Sequence, residues 1–208
     1  MNCISRPTAT FFALCAVTVS AQPTVPAKSG VVAHIEGVVF IDEQRVEASA
    51  VPFPIKAHTV MRTENGRAEI HLSKVGSLFL GENISVRQID SGVYNFSRLA
   101  ILTGSAVLVT GTNGSLVDCE DAAKLSDSGV YRFDFNPIRP STENVCRFRV
   151  YKGAAAVQLP ITIAVLTPGK TMGLNRLSGD MIPTQIFNTE DIDALNSWTR
   201  QRVQLRRP

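Results

Sequence analysis

The sequence lacks the motifs that mark the common catalytic chemistries. It has no HExxH helix, no CxxC pair, no phosphate-binding glycine loop and no hydrolase-like Ser/His/Asp order. It has only three histidines, and His58 with His71 alone would fall short of the three or four ligands that a zinc site needs. We therefore predict a protein that is not an enzyme and that holds no cofactor or metal.

Aromatic residues and net charge are also low. The chain of 208 residues has one Trp, three Tyr and a formal net charge of +3. Few aromatic rings are available for stacking on sugars, and the charge is too small to create the field typical of nucleic-acid-binding proteins. We expect no nucleic-acid partner. A hydrophobic fraction of 44% with 19% charged residues is typical of a globular chain with a real core.

No apolar run is long enough to span a bilayer, which takes about 20 residues. One run near the N-terminus extends from Ala9 to Val19, and the small-residue cleavage pattern Val19-Ser20-Ala21 ends it. This arrangement predicts a signal peptide over residues 1–21, cleaved between Ala21 and Gln22. A lipoprotein signal at Cys15 is the alternative, which the bulky Leu14 disfavours. We expect the mature protein in the periplasm or outside the cell, without a stable membrane span.

Cleavage of that signal would leave two of the four cysteines, Cys119 and Cys146. An even number of cysteines in an exported protein favours a disulfide. Each shares a predicted strand face with apolar residues, so both are expected to point toward the core. A bond between them would close a loop of about 28 residues and stabilise the fold by roughly 3–4 kcal/mol in the loop-entropy description. Two buried thiols are the alternative.

Short apolar or alternating runs, separated by Gly, Asn, Asp and Pro, fill the chain from Val31 onward. Many short strands with turn residues between them are typical of all-β sandwiches, barrels and stacked hairpins. We predict a linker over residues 22–30 and one mainly β domain over residues 31–187. Its hairpins would stack into a sandwich or a solenoid-like set of sheets.

The one convincing helix lies near the end, within a predicted C-terminal unit of helix and basic tail over residues 188–208. Asn188 or Thr189 can cap it, and arginines crowd its C-terminal end. Ile192, Leu195 and Trp198 form a narrow apolar stripe, which predicts a helix docked on the sheet. A membrane-surface or partner helix is the alternative.

The sharpest local pattern is VMRTENGRAEIHL, Val60–Leu72. Asn65-Gly66 is a strong hairpin signal, because a type I′ turn requires a positive φ at both central residues. We therefore predict a hairpin motif centred on Asn65, Gly66 and Arg67. Its register would bring oppositely charged residues face to face on the solvent side: Glu64 with Arg67, and Arg62 with Glu69.

Several phrases in order resemble the FecR domain family over roughly residues 31–157. They are Gly37-Val-Val, Thr59-Val-Met-Arg-Thr-Glu-Asn-Gly-Arg-Ala-Glu-Ile70, Gly76-Ser-Leu-Phe-Leu-Gly81, Leu102-Thr-Gly-Ser-Ala-Val107 and Val150-Tyr-Lys-Gly-Ala154. The resemblance implies a β-rich stack of hairpins outside the cytoplasm. In the iron-citrate regulators of this family, the domain senses a loaded outer-membrane transporter and controls a sigma factor. The family supplies no catalytic residues.

This chain departs from the regulators in two respects. Only a few residues precede its apolar run, so we expect a stand-alone exported relative rather than a direct regulator of a sigma factor. The family pattern often has Gly where this chain has His58. The sequence therefore predicts an exported FecR-like β-domain that binds or signals in the cell envelope. Its partner would be an envelope protein or a surface polymer; a polysaccharide- or peptidoglycan-binding module is the alternative.

Overall fold

A computed structural model of the chain describes residues 30–56, 58–72, 76–89, 98–111, 116–118, 123–125, 128–135, 145–158, 163–175 and 181–205. The predicted signal peptide with its cleavage site at Ala21 and Gln22, residues 22–29 of the predicted linker, and Cys119 lie outside these residues. Within the described part of the chain, no helix combines the length and the apolar composition needed to cross a membrane.

The described residues form fifteen strands and one α-helix, which confirms the predicted mainly β fold with a C-terminal helix. The strands are β1 (Val31–Ile41), β2 (Gln44–Val46), β3 (Phe53–Pro54), β4 (Val60–Leu72), β5 (Gly76–Leu80), β6 (Ser85–Ile89), β7 (Arg98–Thr110), β8 (Leu116–Asp118), β9 (Ala123–Leu125), β10 (Gly129–Phe135), β11 (Val145–Lys152), β12 (Ala155–Gln158), β13 (Ile163–Leu166), β14 (Lys170–Asn175) and β15 (Met181–Ile186). The helix α1 covers Ala194–Gln204.

All fifteen strands belong to one hydrogen-bonded sheet. Its longest path runs β13-β12-β9-β8-β7-β10-β11-β14-β15, and β7 also pairs β5 and β6, which both pair β4. The pairing is antiparallel throughout except between β7 and β8. The inward-facing side chains form one continuous core, because alternate residues of each strand point to the same face.

The predicted hairpin at Asn65-Gly66 is wrong. These residues lie inside β4, a continuous strand that pairs with β1 along its length. Neither residue has a positive φ. Between the pairs Gly37–Gly66 and Val39–Thr63, β4 has one residue more than β1, so a β-bulge occupies the place of the expected turn.

The bulge changes which residues of β4 face the core. Met61 and Thr63 point inward before it, whereas Ala68 and Ile70 do so after it. The predicted charge pairs are therefore not formed across a turn. Arg62 instead pairs with Glu64 on its own strand at 2.7 Å, and Arg67 pairs with Glu82 at 2.8 Å.

The type I′ turn of this region lies elsewhere, between β1 and β2. Ile41 pairs with Gln44, and the two residues between them, Asp42 and Glu43, have φ values of 46° and 65°. This combination is what a two-residue hairpin with the right-handed strand twist requires. His58 also has a positive φ, 64°, which is the conformation that glycine adopts most easily and fits the Gly of the FecR pattern.

The helix docks on the outer face of the sheet, as predicted. Leu195 and Trp198 pack against Phe79 of β5 and Val107 of β7 in a second, smaller apolar cluster. Its predicted caps are wrong: Asp193 is the N-cap and accepts a 2.9 Å hydrogen bond from the Asn196 backbone nitrogen. Because β5 has the core on one face and the helix on the other, its Leu78-Phe79-Leu80 run is wholly buried.

Cys146 lies on the core face of β11, where the alternation predicted it, and is buried. The expected partner, Cys119, falls outside the described residues. The disulfide between them stays a prediction.

Candidate functional site

A groove of about 540 Å³ is one of the concave surfaces of the described residues. Its floor is the outer face of β10, β11 and β14, and its wall is the segment from Gln185 to Asp193 that leads from β15 into α1. We call it the arginine groove, after Arg132, Arg147 and Arg149, which line it.

Strand alternation places the three arginines in the groove. On β10, Tyr131 and Phe133 point into the core, so Arg132 points outward. On β11, Phe148 lies in the core between the two outward residues Arg147 and Arg149. A sheet with one face on a core must place its polar residues on the opposite face.

Asp134 holds two of these arginines together. Arg132 and Arg149 lie directly opposite each other on neighbouring strands, an arrangement that is unfavourable for like charges. The Asp134 carboxylate relieves it, because it lies 2.8 Å from the Arg132 Nε and 3.2 Å from an Arg149 terminal nitrogen. Ser105 of β7 donates a further 2.7 Å hydrogen bond to the same carboxylate.

Arg132 also joins the groove to the helix. Its guanidinium lies 2.5 Å from the carboxylate of Asp193, the N-cap of α1. Burial opposes the charged form of Arg132, but the carboxylates of Asp134 and Asp193 outweigh it and raise its pKa. Burial likewise opposes ionisation of Asp193, yet the Asn196 backbone N–H and Arg132 lower its pKa overall. This pair is therefore a stable part of the scaffold.

Arg147 differs from the other two arginines. It faces Asp134 across the ladder and Gly173 on β14, but it is exposed and makes no ion pair within the described part of the chain. Gly173 presents no side chain beside it. The groove thus contains one accessible guanidinium, which matches the planar geometry of a carboxylate or a phosphate.

Apolar side chains border the charged floor. Ile186, at the end of β15, is 80% exposed, and Ile192 is 41% exposed. Phe187 packs edge-on against Tyr151 with ring centroids 4.9 Å apart. Exposed large apolar groups next to a concave surface are typical of binding sites.

A second cavity of about 290 Å³ lies beside α1 and shares Tyr151 with the groove. Asn196 of the helix donates a 3.0 Å hydrogen bond to the Tyr151 hydroxyl. Val107, Val130 and Val203 contribute its apolar lining. This cavity is part of the packing of α1 on the sheet.

Two histidines, His34 and His71, lie beside carboxylates that bond Trp198 and Arg202 of α1. The His34 ring nitrogen is 3.0 Å from Glu36, and that of His71 is 2.6 Å from Glu69. Across the described residues, no three His, Cys, Asp or Glu side chains are arranged to hold a metal ion. His58 lies in the turn before β4 and is exposed.

Sequence reasoning did not identify the groove, and it named Asn188 and Ile192 only as parts of the predicted helix unit. The other groove residues come mainly from β10, β11, β14 and β15, which are far apart in the sequence and adjacent only in the sheet. The available signal was the alternation of arginine with apolar residues in Cys146-Arg-Phe-Arg-Val150, which indicates a strand with a basic outer face. The residues singled out instead, Asn65, Gly66 and Arg67, shape β4.

No family profile matches the chain. No curated protein matches it either. Two crystal structures of a candidate anti-sigma factor from Parabacteroides distasonis ATCC 8503 have a similar fold. One has a TM-score of 0.50 at 11% identity and covers 66% of this chain and 62% of the neighbour. The other has a TM-score of 0.49 at 12% identity, with 63% and 61% covered.

At this identity the likeness concerns the fold alone, and the chain spans less than two thirds of the neighbour's length. A coarse likeness to the folds of anti-sigma regulators agrees with the β-rich architecture that the FecR resemblance implied. Membership in the FecR family itself stays a prediction.

Proposed function

We propose that this chain is a non-enzymatic binding domain of the cell envelope, which takes part in signalling by holding a segment of a partner protein in the arginine groove. The observation that carries the proposal is an exposed arginine, Arg147, that no carboxylate of the described residues pairs with, next to two exposed isoleucines on the same concave surface. Arg147 supplies a directional polar contact, and Ile186 and Ile192 supply apolar area.

Three further observations support the proposal. The N-terminal segment has the pattern of a secretory signal, which favours an envelope location. The fold resembles that of a candidate anti-sigma factor, which agrees with a role in signalling. The groove offers guanidinium groups and apolar surface, the composition that is enriched at protein–protein contacts.

Site-directed photo-cross-linking in the source cells tests the proposal. A photoreactive phenylalanine analogue at Gln185, in the groove wall, is expected to give one discrete adduct with an envelope protein. The same analogue at Arg87, an exposed residue of β6 outside the groove, is the matched control. Equal adducts at both positions, or none at Gln185, would contradict the proposal. An adduct whose added mass is removed by glycosidases would favour the glycan-binding alternative.

A further inference from the structure

We propose, resting on the proposed function, that the arginine groove recognises an acidic side chain in an extended apolar segment of its partner, and that Arg147 is the residue that binds the carboxylate.

The charge balance of the groove singles out Arg147. Arg132 is held between Asp134 and Asp193, and Arg149 is held by Asp134. Asp191, in the groove wall, accepts a 3.4 Å hydrogen bond from Asn188. Arg147 is the arginine of the groove for which the described residues supply no carboxylate. A carboxylate of the ligand can therefore pair with Arg147 without first breaking an ion pair within the protein.

The fixed arginines prepare the site for that role. Asp134 forms ion pairs with both Arg132 and Arg149, so these two guanidinium groups are already positioned beside Arg147. Preorganisation of this kind lowers the entropy cost of binding.

The sheet edge beside the groove favours an extended protein segment over a small anion. β15 ends the strand path and pairs only with β14 among the described strands. Its exposed Thr184, Gln185 and Ile186 follow Pro183, a residue that is typical of edge strands. A segment that enters the groove over such an edge can gain main-chain hydrogen bonds there, while its remaining residues cross β15 and β14 toward Arg147 of β11.

The two isoleucines of the groove determine which residues can flank the acidic residue in the partner segment. Ile186 and Ile192 lie at the groove and are exposed. Neighbours of the acidic residue that contact them would have to be apolar. The expected recognition sequence is therefore one Asp or Glu between apolar or β-branched residues, a composition that a phosphate ion or a uniformly acidic polymer does not offer.

Selection from a phage-displayed library of random twelve-residue peptides against the exported protein purified from cells tests this inference. Enriched peptides are expected to carry an acidic residue between apolar residues. A synthetic copy of the most enriched peptide should bind about tenfold or more weakly to Arg147→Glu. Arg147→Lys, which keeps the charge but loses the planar guanidinium, should bind with an affinity between those of the parent and Arg147→Glu. The matched surface variant Arg87→Glu should stay within about twofold of the parent. Circular dichroism and thermal unfolding of each variant separate loss of binding from loss of folding.

Several outcomes would overturn the inference: no enriched peptide family, enriched peptides without an acidic residue, or equal affinity for Arg147→Glu. Arg147-dependent binding of inorganic phosphate or polygalacturonate without peptide binding would also overturn it. The cross-linking test separates this result from the wider proposal. If the Gln185 adduct persists in Arg147→Glu, the groove binds a partner protein but Arg147 does not make an essential contact with an acidic residue. If peptide binding depends on Arg147 and Gln185 gives no adduct, the groove recognises acidic peptides but the proposed role in the cell envelope is wrong.

Discussion

Gly66 lies directly opposite Gly37 in the β1–β4 ladder, at the position where β4 carries its extra residue. Gly37 has a φ of 68°, and a Cβ on Gly66 would lie 2.5 Å from the Val38 carbonyl oxygen and 2.7 Å from that of Glu36. The two backbones approach so closely that neither position has room for a side chain. The bulge, and with it the change of inward-facing residues along β4, depends on this glycine pair.

Gly66→Ala is therefore expected to destabilise the protein by about 2–3 kcal/mol, since the added methyl group meets backbone atoms that cannot rotate away. Asn65→Ala is the matched control, expected within about 0.5 kcal/mol of the parent because Asn65 is exposed and extended. Urea unfolding measures both. A type I′ turn at Asn65-Gly66 would give the opposite pattern, with a clear loss in Asn65→Ala.

Glu43→Gly is expected to stabilise the protein by about 0.5–1 kcal/mol. Glu43 has a φ of 65° in the β1–β2 turn, and this left-handed conformation costs a residue other than glycine about 1–2 kcal/mol. Glycine avoids that cost, but part of the gain is offset because glycine loses more backbone entropy on folding. The substitution also removes the ion pair between Glu43 and Arg62. That pair is long, 3.6 Å, and exposed, so its loss reduces the gain in stability only slightly. Thermal unfolding checks the shift. A fall in stability would show that the turn does not require a positive φ at this residue.

Thr63 holds the bend in β4 to the loop between β5 and β6. Its hydroxyl donates a 2.7 Å hydrogen bond to the Gly81 carbonyl oxygen and accepts a 3.1 Å bond from the Ile84 nitrogen, and the residue is 1% exposed. Thr63→Val would leave both backbone groups buried without this partner, at a cost of about 2–4 kcal/mol. Thr63→Ser keeps the hydroxyl and should recover most of that loss. A stability of Thr63→Val close to that of the parent, together with a clear loss in Thr63→Ser, would show that the methyl group matters rather than the hydrogen bonds.

Periodicity predicted the strands well and their partners poorly. The predicted start of the β domain at Val31 is also the start of β1, because alternation is a property of the strand itself. Asn65-Gly66 was misread, because the same two residues suit a turn or a bulge and only the approach of Gly37 decides between them. The arginine groove could not be predicted, since Arg147 and Gln185 meet only when the strand order of the sheet is known.

Trp198 attaches the helix to the sheet by packing and by one hydrogen bond. It is 5% exposed, contacts Phe79 edge-on at 5.8 Å, and donates from its indole nitrogen to Glu36 at 2.8 Å. Trp198→Ala is expected to cost about 3–5 kcal/mol through the cavity it leaves. Trp198→Phe, which loses chiefly the hydrogen bond, should cost about 1–2 kcal/mol. Hydrogen exchange of the α1 amides would show whether the helix loosens first; unchanged exchange in Trp198→Ala would contradict its role as the anchor.

Asp193 makes the docking of α1 dependent on pH. Its folded-state pKa is lowered below the ordinary 3.8, because the Asn196 backbone N–H and Arg132 outweigh the opposing effect of burial. A lowered carboxylate pKa contributes stability that is fully present above the unfolded-state pKa and is lost as the pH falls through the folded-state value. Asp193→Asn keeps a side-chain oxygen for the cap and removes the charge. The side chain is 49% exposed, so the charge itself is worth no more than about 1 kcal/mol.

Urea unfolding of the parent and Asp193→Asn from pH 7 to pH 2.5 should therefore show a constant difference above about pH 5 and a shrinking one below pH 3.8. Asp193→Ala should lose about a further 1 kcal/mol at every pH, because the cap is gone. Asp191→Asn, an exposed carboxylate that does not cap the helix, controls for the change in net charge. A difference between parent and Asp193→Asn that stays unchanged down to pH 2.5 would show that the Asp193–Arg132 pair carries no charge-dependent stability, and that the helix is held at this end by the backbone hydrogen bond alone.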